Sequence, residues 1–516
     1  MAAPNKKLAE ALKSLRAIQK KNITAINTNE LTRSHREQLL ASGYILEIIK
    51  GWYIISNPGE KKGDSTLWYS SFWNFCSGFL DNRYKKKWCI SPEQSVSLHS
   101  GNFSIPNQLI IKSPDANNTK TNLPFNTSLF NLKASLPGDD EMDVKEGIRM
   151  YSKASALINC GEVYFRNNPG DARTVLSAIR DASEILAYVL PGGNTTKAGR
   201  LAGAFRNIGS SRIADDIIKT LKGLKYDIRE EDPFSGKSAF IIPVREKSPY
   251  ANRITLMWYS MRETVIKYFP EEKKLPADTE KYMKLVQDKY VTDAYHSLSI
   301  EGYRVSADLI ERVANGSWNP ESDTGDRDHK NALAALGYWE AFQSVKKSIK
   351  MVLKGRNPGK TADLEHGNWY RKMFSPQVTA GILKAYDLAG YRNARVYISK
   401  SAHVPLNHSA VRDAMPAFFE LLKKEKNPAV RVVLGNFIFV YIHPYMDGNG
   451  RIARFLMNVM LASGGYPWTV IPVEQRDKYM DSLEQASVHQ NIKPFTKFLA
   501  KLVKAGLSGK PTAKKL

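Results

Sequence analysis

The 516-residue chain has only three cysteines, Cys76, Cys89 and Cys160, and no CxxC pair. Three thiols so spaced build neither a disulfide framework nor a metal site, which fits a reducing compartment, so a cytoplasmic location is expected. Long apolar runs are missing as well. No stretch approaches the ~18 apolar residues that a membrane-spanning helix needs, and mean hydropathy is −0.39. The amino end, MAAPNKKLAEALKSLRAIQK, starts basic but has no apolar stretch behind it, so no secretory leader is expected. Acidic residues are outnumbered, 51 Asp+Glu against 75 Lys+Arg, for a formal charge of +24. This excess suggests a polyanionic partner and leaves its kind open. What is present, 42% hydrophobic and 10% aromatic residues, excludes wholesale disorder. The length predicts two to four domains.

Up to about residue 60 the pattern reads helix, helix, then two short strands. Leu8, Leu12, Leu15 and Ile18 recur at helical spacing. Thr32 is an N-cap candidate before RSHREQLLASGY, and Gly43 is a plausible stop. ILEII and WYII flank a Lys50-Gly51 turn, the outline of a winged helix over 1–60. Residues 61–230 form a mixed α+β middle region: SLHSGNF and QLIIKS read as strands, DARTVLSAIRDASEILAYVL and SSRIADDIIKTLKGL as helices. The charged, proline-punctuated stretch at 231–250 reads as a linker. Residues 251–505 are almost all helical, interrupted by the β-like NARVYISKSAHVP, and 506–516 form a basic tail. The expected fold is therefore multi-domain and mainly α.

The most informative run is His443-Pro444-Tyr445-Met446-Asp447-Gly448-Asn449-Gly450-Arg451-Ile452-Ala453-Arg454. The apolar helix before it must end near His443, because Pro444 disfavours helical geometry in the residue it follows. Ile452, Phe455, Leu456 and Val459 then resume a helical stripe. Gly448 and Gly450 allow close backbone approach, and the new helix's unpaired N–H groups favour an anion. Arg451 and Arg454, three apart, share a face. Asp447 is a hard oxygen ligand suited to Mg²⁺, and His443 can take a proton from a hydroxyl.

This run resembles the signature of the Fic family, His-Pro-Phe-x-(Asp/Glu)-Gly-Asn-Gly-Arg-x-x-Arg, with Tyr445 in place of Phe. The resemblance covers about 280–505. It implies an all-α Fic fold and transfer of AMP from ATP to a protein hydroxyl. It further implies His443 as general base, Asp447 on Mg²⁺, Gly448, Asn449, Gly450 and Arg451 cradling the α/β-phosphates, and Arg454 on the γ-phosphate. Ser297-Leu298-Ser299-Ile300-Glu301-Gly302 resembles the family's inhibitory motif, on a helix expected at about 283–302. Ser297 and Glu301 share a helix face there and Gly302 is a natural end to the helix; the resemblance implies that Glu301 pairs with Arg454. Around Val396, Tyr397 and Ile398 the sequence resembles the family's target-docking flap, a β-hairpin. A plain surface hairpin stands as the alternative.

Residues 5–60 resemble the winged-helix module of abortive-infection antitoxin regulators. Arg33, Ser34, His35 and Arg36 open the would-be recognition helix, and Lys50 tips the wing. With the basic run Arg83, Lys85, Lys86 and Lys87 they are candidate DNA contacts; a protein-binding module with solvated charges is the alternative. Trp68, Trp73 and Trp88 read as core, His296 as packing beside the inhibitory motif, and Asp328-His329 as a loop. The expectation is thus an autoinhibited protein adenylyltransferase using ATP and Mg²⁺. Its acceptor is a protein Tyr, Thr or Ser, its own chain included, with no membrane partner and with homo-oligomers open. The competing reading is a DNA-binding regulator or toxin–antitoxin component whose Fic half senses nucleotide or transfers another phosphate-containing group.

Overall fold

Capping chemistry sets many of the helix ends. Thr32 accepts from the His35 N–H at the start of Arg33–Ala41, and Gly43 takes φ +73° just past its end. Ser91 and Pro92 open Pro92–His99 in the same way, and Asn427 and Pro428 open Pro428–Ile442. The computed structural model describes residues 4–20, 25–56, 58, 65–234, 248–273, 275–276, 278–318, 326–510 and 513. Residues 235–247, the greater part of the expected linker, and most of the last six residues of the expected basic tail lie outside these. The chain divides into two units, Met1–Arg253 with Tyr397–Val404, and Ile254–Val396 with Pro405–Leu516.

The first unit opens with the helices Pro4–Gln19 and Arg33–Ala41 and the hairpin Ile45–Ile49/Trp52–Ile55. Gly51, at φ +81°, supplies the left-handed backbone its turn needs. A short strand absent from the sequence reading, Ala25–Asn27, completes an antiparallel three-stranded sheet. Leu15, Ile18, Ile26, Leu39, Ile45 and Tyr53 close a small core beneath it. The next core gathers on the helix Thr66–Tyr84, whose Trp68, Phe72, Phe75 and Phe79 make edge-on and stacked contacts. It packs with a four-stranded sheet ordered Cys89–Ile90, Leu109–Ser113, Ser128–Lys133, Thr119–Asn122. Trp68, Trp73 and Trp88 are buried with their indole N–H groups satisfied. SLHSGNF forms no strand: Ser97–His99 end the helix that Ser91 caps, and the cap outweighs the alternation. Helices from Lys153–Asn159 to Ser211–Gly223 enclose a third core, around Phe165, Leu176, Leu201 and Phe205. Asp171 lies inside it, fully buried against Arg253 and accepting from Ser97 and Asn102. The three cysteines are free and buried.

The second unit is helical. Pro428–Ile442, apolar on nearly every side, is buried along almost its whole length, and Asn449–Ala462 is buried as fully although it carries Arg451, Arg454 and Asn458. The expected inhibitory helix is two, Thr279–Asp288 and Tyr290–Ile300. Asp328 and His329 are helical, in the first turn of Asp326–Leu353, not in a loop. No helix among the described residues is long and apolar enough to cross a membrane.

The expected flap hairpin is absent. Val396, Tyr397 and Ile398 make no ladder, and Ile398 to Ser401 close a turn with Lys400 at φ +61°. Polar groups of Tyr397–Val404 go elsewhere within the first unit. Ile105 N–H donates to the Ala402 carbonyl (3.0 Å), and Lys400 N–H donates to Thr66 Oγ1 (3.1 Å). Ala402 and Val404 pack on the aromatic core there. A strand-forming run whose partners are already taken has no need of a hairpin.

Candidate active site

Pro428–Ile442 stops at His443, which takes φ +54°, ψ +62°. A left-handed histidine costs about 1 kcal/mol and persists only where its surroundings fix it. Here its N–H donates to Phe439 O (3.0 Å), while Nδ1 lies 3.2 Å from Val440 O. A carbonyl can only accept, so the proton sits on Nδ1 and Nε2 keeps its lone pair. Burial lowers the imidazole pKa to about 4; the Nδ1 bond to Val440 opposes this and Arg392 adds to it. The ring is neutral at physiological pH.

Asn449 closes the following turn. Its Oδ1 accepts from Tyr445 N–H and its Nδ2 donates to Tyr445 O, both at 2.8 Å. The Asn449 side chain is thus committed to the loop; what it offers an anion is its backbone at the helix start. Gly448, at φ +79°, donates its N–H to Asp447 Oδ1 (2.6 Å), so that donor is engaged too. Tyr445 is buried and stacked on Tyr370, with centroids 3.8 Å apart, which accommodates the ring that replaces phenylalanine.

Arg451 and Arg454 point their charge inward. Arg451 is buried between the rings of Tyr303 and Phe374 (5.2 and 5.1 Å), and its Nη2 lies 3.2 Å from Asp447 Oδ2. Arg454 donates through Nε to Ser297 Oγ (2.8 Å) and through Nη2 to Ser297 O (3.0 Å) and Glu301 Oε1 (2.7 Å). Buried Arg451 Nε, Arg451 Nη1 and Arg454 Nη1 have no acceptor among the described residues. Such orphaned cationic donors are costly unless an anion visits. The Glu301 carboxylate already stands close by: a Cβ added to Gly450 would meet its Oε1 at 2.5 Å. Burial alone would raise the Glu301 pKa, but Arg454 and Arg451 outweigh it and hold the carboxyl below its ordinary value.

Three participants have no mark in the sequence reading: Tyr303, Phe374 and Asp293. Asp293 lies one turn before Ser297, buried, accepting from Tyr338 (2.6 Å), and burial raises its pKa to about 6. The i, i+4, i+8 spacing of Asp293, Ser297 and Glu301 was the available signal. His296 is buried beside the motif and accepts from Val473 N–H (3.1 Å). In the first unit, exposed Arg33 is engaged by Glu37 (2.8 Å), and Arg36 donates to Thr28 O and lies over Tyr53. His35 contacts Ser14, and Lys50 is exposed at the hairpin turn.

Residues 369–461 match the family model described as Fic/DOC family. Relatives include proteins named "Protein adenylyltransferase Fic". One, from Nematostella vectensis, is 27% identical over 44% of this chain and 50% of its own length. Another, from Drosophila willistoni, is 37% identical over 42% and 40%. The chain thus spans half or less of the curated relatives it matches. Among solved structures, Fic-1 from C. elegans aligns over 69% of this chain and 86% of its own, at 17% identity and TM-score 0.38. A Fic domain containing signaling protein from Bacteroides thetaiotaomicron aligns over 52% and 100%, at 16% identity and TM-score 0.35.

Proposed function

We propose that this chain is a protein adenylyltransferase, transferring AMP from ATP to a protein Tyr, Thr or Ser hydroxyl, its own included, and restrained by Glu301. The observation that carries this is the set of buried, unpartnered guanidinium donors of Arg451 and Arg454 beside a neutral His443. In the reaction, the target oxygen attacks the α-phosphorus and its proton passes to His443 Nε2. The bond to the β-phosphate's bridging oxygen breaks and pyrophosphate leaves. The protein's share is charge neutralisation and alignment. Arg451 and the backbone of Asn449 and Gly450 serve the α/β-phosphates, joined by Gly448 once Asp447 releases its N–H, and Arg454 serves the γ-phosphate once Glu301 yields it.

Asp447 is the residue that would hold Mg²⁺, which supplies neutralisation of phosphate charge. Its exposed carboxylate is a hard ligand, and no group of three His, Cys, Asp or Glu suited to a metal occurs among the described residues. One carboxylate fits an ion shared with phosphates and water. Val396, Tyr397 and Ile398 remain the proposed target-docking segment. The helix Arg33–Ala41 with its three-stranded sheet supports a winged-helix reading of the amino end, with Arg33, Ser34, Arg36 and Lys50 as DNA contacts. A cytoplasmic setting accords with three free thiols.

The test is incubation with α-labelled ATP of the wild type, Glu301→Gly and His443→Ala, with mass spectrometry of the modified residue. Label on the first two and none on the third supports transfer; label retained on His443→Ala overturns it.

A further inference from the structure

Arg392 is buried at 3% exposure, in the stretch AGYRNARVYISKSAHVP that resembles the flap, and no role was expected of it there. Its backbone N–H donates to Pro444 O (2.9 Å) and its Nε to His443 O (2.7 Å). Its Nη1 donates to Ala394 O (3.0 Å), and its Nη2 contacts Leu406 O. One residue thus grips two successive carbonyls of the catalytic turn and one carbonyl on each stem of the segment 394–406. A planar guanidinium can do this because its donors diverge in a fixed fork; a lysine ammonium cannot span the same set.

The His443 backbone bears the consequence. Its left-handed conformation needs to be held from both sides. Phe439 O holds the amide from the helix side, and Arg392 Nε holds the carbonyl from the other. From this arrangement we infer that Arg392 is a positioning residue for the candidate base: it fixes the His443–Pro444 turn, and hence the direction of the His443 lone pair. The inference rests on the adenylyltransferase reading above for the identity of the base. It adds a structural coupling, since any strain on the 394 or 406 stem is delivered to His443 through one side chain. Electrostatics act the same way, because the guanidinium charge disfavours a protonated imidazole at this distance.

The experiment uses the full chain carrying Glu301→Gly, and compares Arg392, Arg392→Lys and Arg392→Met. Initial self-labelling rates are taken against ATP concentration and pH, alongside melting temperature. Small misplacements of a reacting group cost up to ~100-fold. The expected result is a kcat about 10- to 100-fold lower in both variants, with KM for ATP within about twofold, because Arg451 and Arg454 are untouched. The acid limb should move up in Arg392→Met and stay in place in Arg392→Lys, which keeps the charge and loses the fork. Unchanged kcat, or a fall in kcat accompanied by a higher KM and a lower melting temperature, overturns the role.

A readout without turnover runs in parallel: carbethoxylation of His443 by diethyl pyrocarbonate against pH, followed by peptide mass spectrometry. Arg392→Met should raise the plateau rate and the midpoint. If the parent transfers no label, the adenylyltransferase reading fails. His443 reactivity unchanged in Arg392→Met overturns the positioning role in either case.

Discussion

Replacing Glu301 by glycine should accelerate ATP-dependent labelling by about 10- to 30-fold. The estimate starts from one contact, the 2.7 Å bond between Arg454 Nη2 and Glu301 Oε1. A hydrogen bond to a charged group contributes about 1.5–3 kcal/mol. The Glu301 side chain is 27% exposed, so water shares the load and the lower part, about 1.5–2 kcal/mol, applies. At about 1.36 kcal/mol per tenfold, that converts to the stated acceleration. The helix should survive the change. Glu301 sits at its C-cap at φ −85°, ψ 2°, before Gly302 at φ +87°, so another glycine at the stop is tolerated. Arg454 also keeps Ser297 Oγ and O as acceptors. The assay is initial rate of α-labelled AMP incorporation at saturating ATP, with Glu301→Gln as the intermediate case, since it keeps the shape and loses the charge. A Glu301→Gly rate equal to wild type would refute the reasoning, because removing the carboxylate would then have released nothing.

Other outcomes follow from the same geometry. Gly450→Ala in the Glu301→Gly background should abolish labelling, since a Cβ there occupies space that the Glu301 carboxylate now fills and that the proposed reaction assigns to phosphate; retained activity would place the anion elsewhere. The labelling rate should fall on acidification with a limb near pH 4, below the ordinary histidine value of 6.5, because His443 accepts a proton only while neutral. The same depressed pKa makes the folded state bind fewer protons than the unfolded one. Stability at this site is therefore intact above about pH 6.5 and declines toward pH 4, which pH-dependent denaturant melts would register. Asp171→Ala should cost about 3–5 kcal/mol by stranding buried Arg253, measured by urea unfolding of the full chain.

Legibility in the sequence followed contact distance along the chain. The turn from His443 to Arg454 is twelve consecutive residues, and Pro444, Gly448 and the flanking apolar runs suffice to end one helix and begin the next. Ser297 and Glu301 were readable because helical spacing brings them together, and both meet Arg454. Arg392 was not, because its partners are main-chain carbonyls, which no side-chain pattern marks. Tyr303, just past the Gly302 stop, and Phe374, inside Pro358–Thr379, clasp Arg451 from positions far apart in sequence. SLHSGNF is no strand because the readable signal upstream, Ser91 with Pro92, starts a helix that runs into it as far as His99. The flap hairpin failed because strand propensity describes a residue's fit to a sheet, not whether a partner strand is there.

The placement of Tyr397–Val404 also has a consequence for biosynthesis. This segment belongs to the first unit yet is encoded after most of the helices of the second, and Lys400 meets Thr66 across 334 positions. A ribosome emitting the chain therefore releases an amino-terminal unit that lacks its final piece until residue 404 has emerged. At about 5–20 residues per second, the roughly 150 residues after Arg253 take some seconds to a half-minute. During that interval the apolar ground under Ala402 and Val404 is bare. An expression clone cut after Arg253 would leave that ground bare in the amino-terminal product and leave Ala402 and Val404 without it in the other.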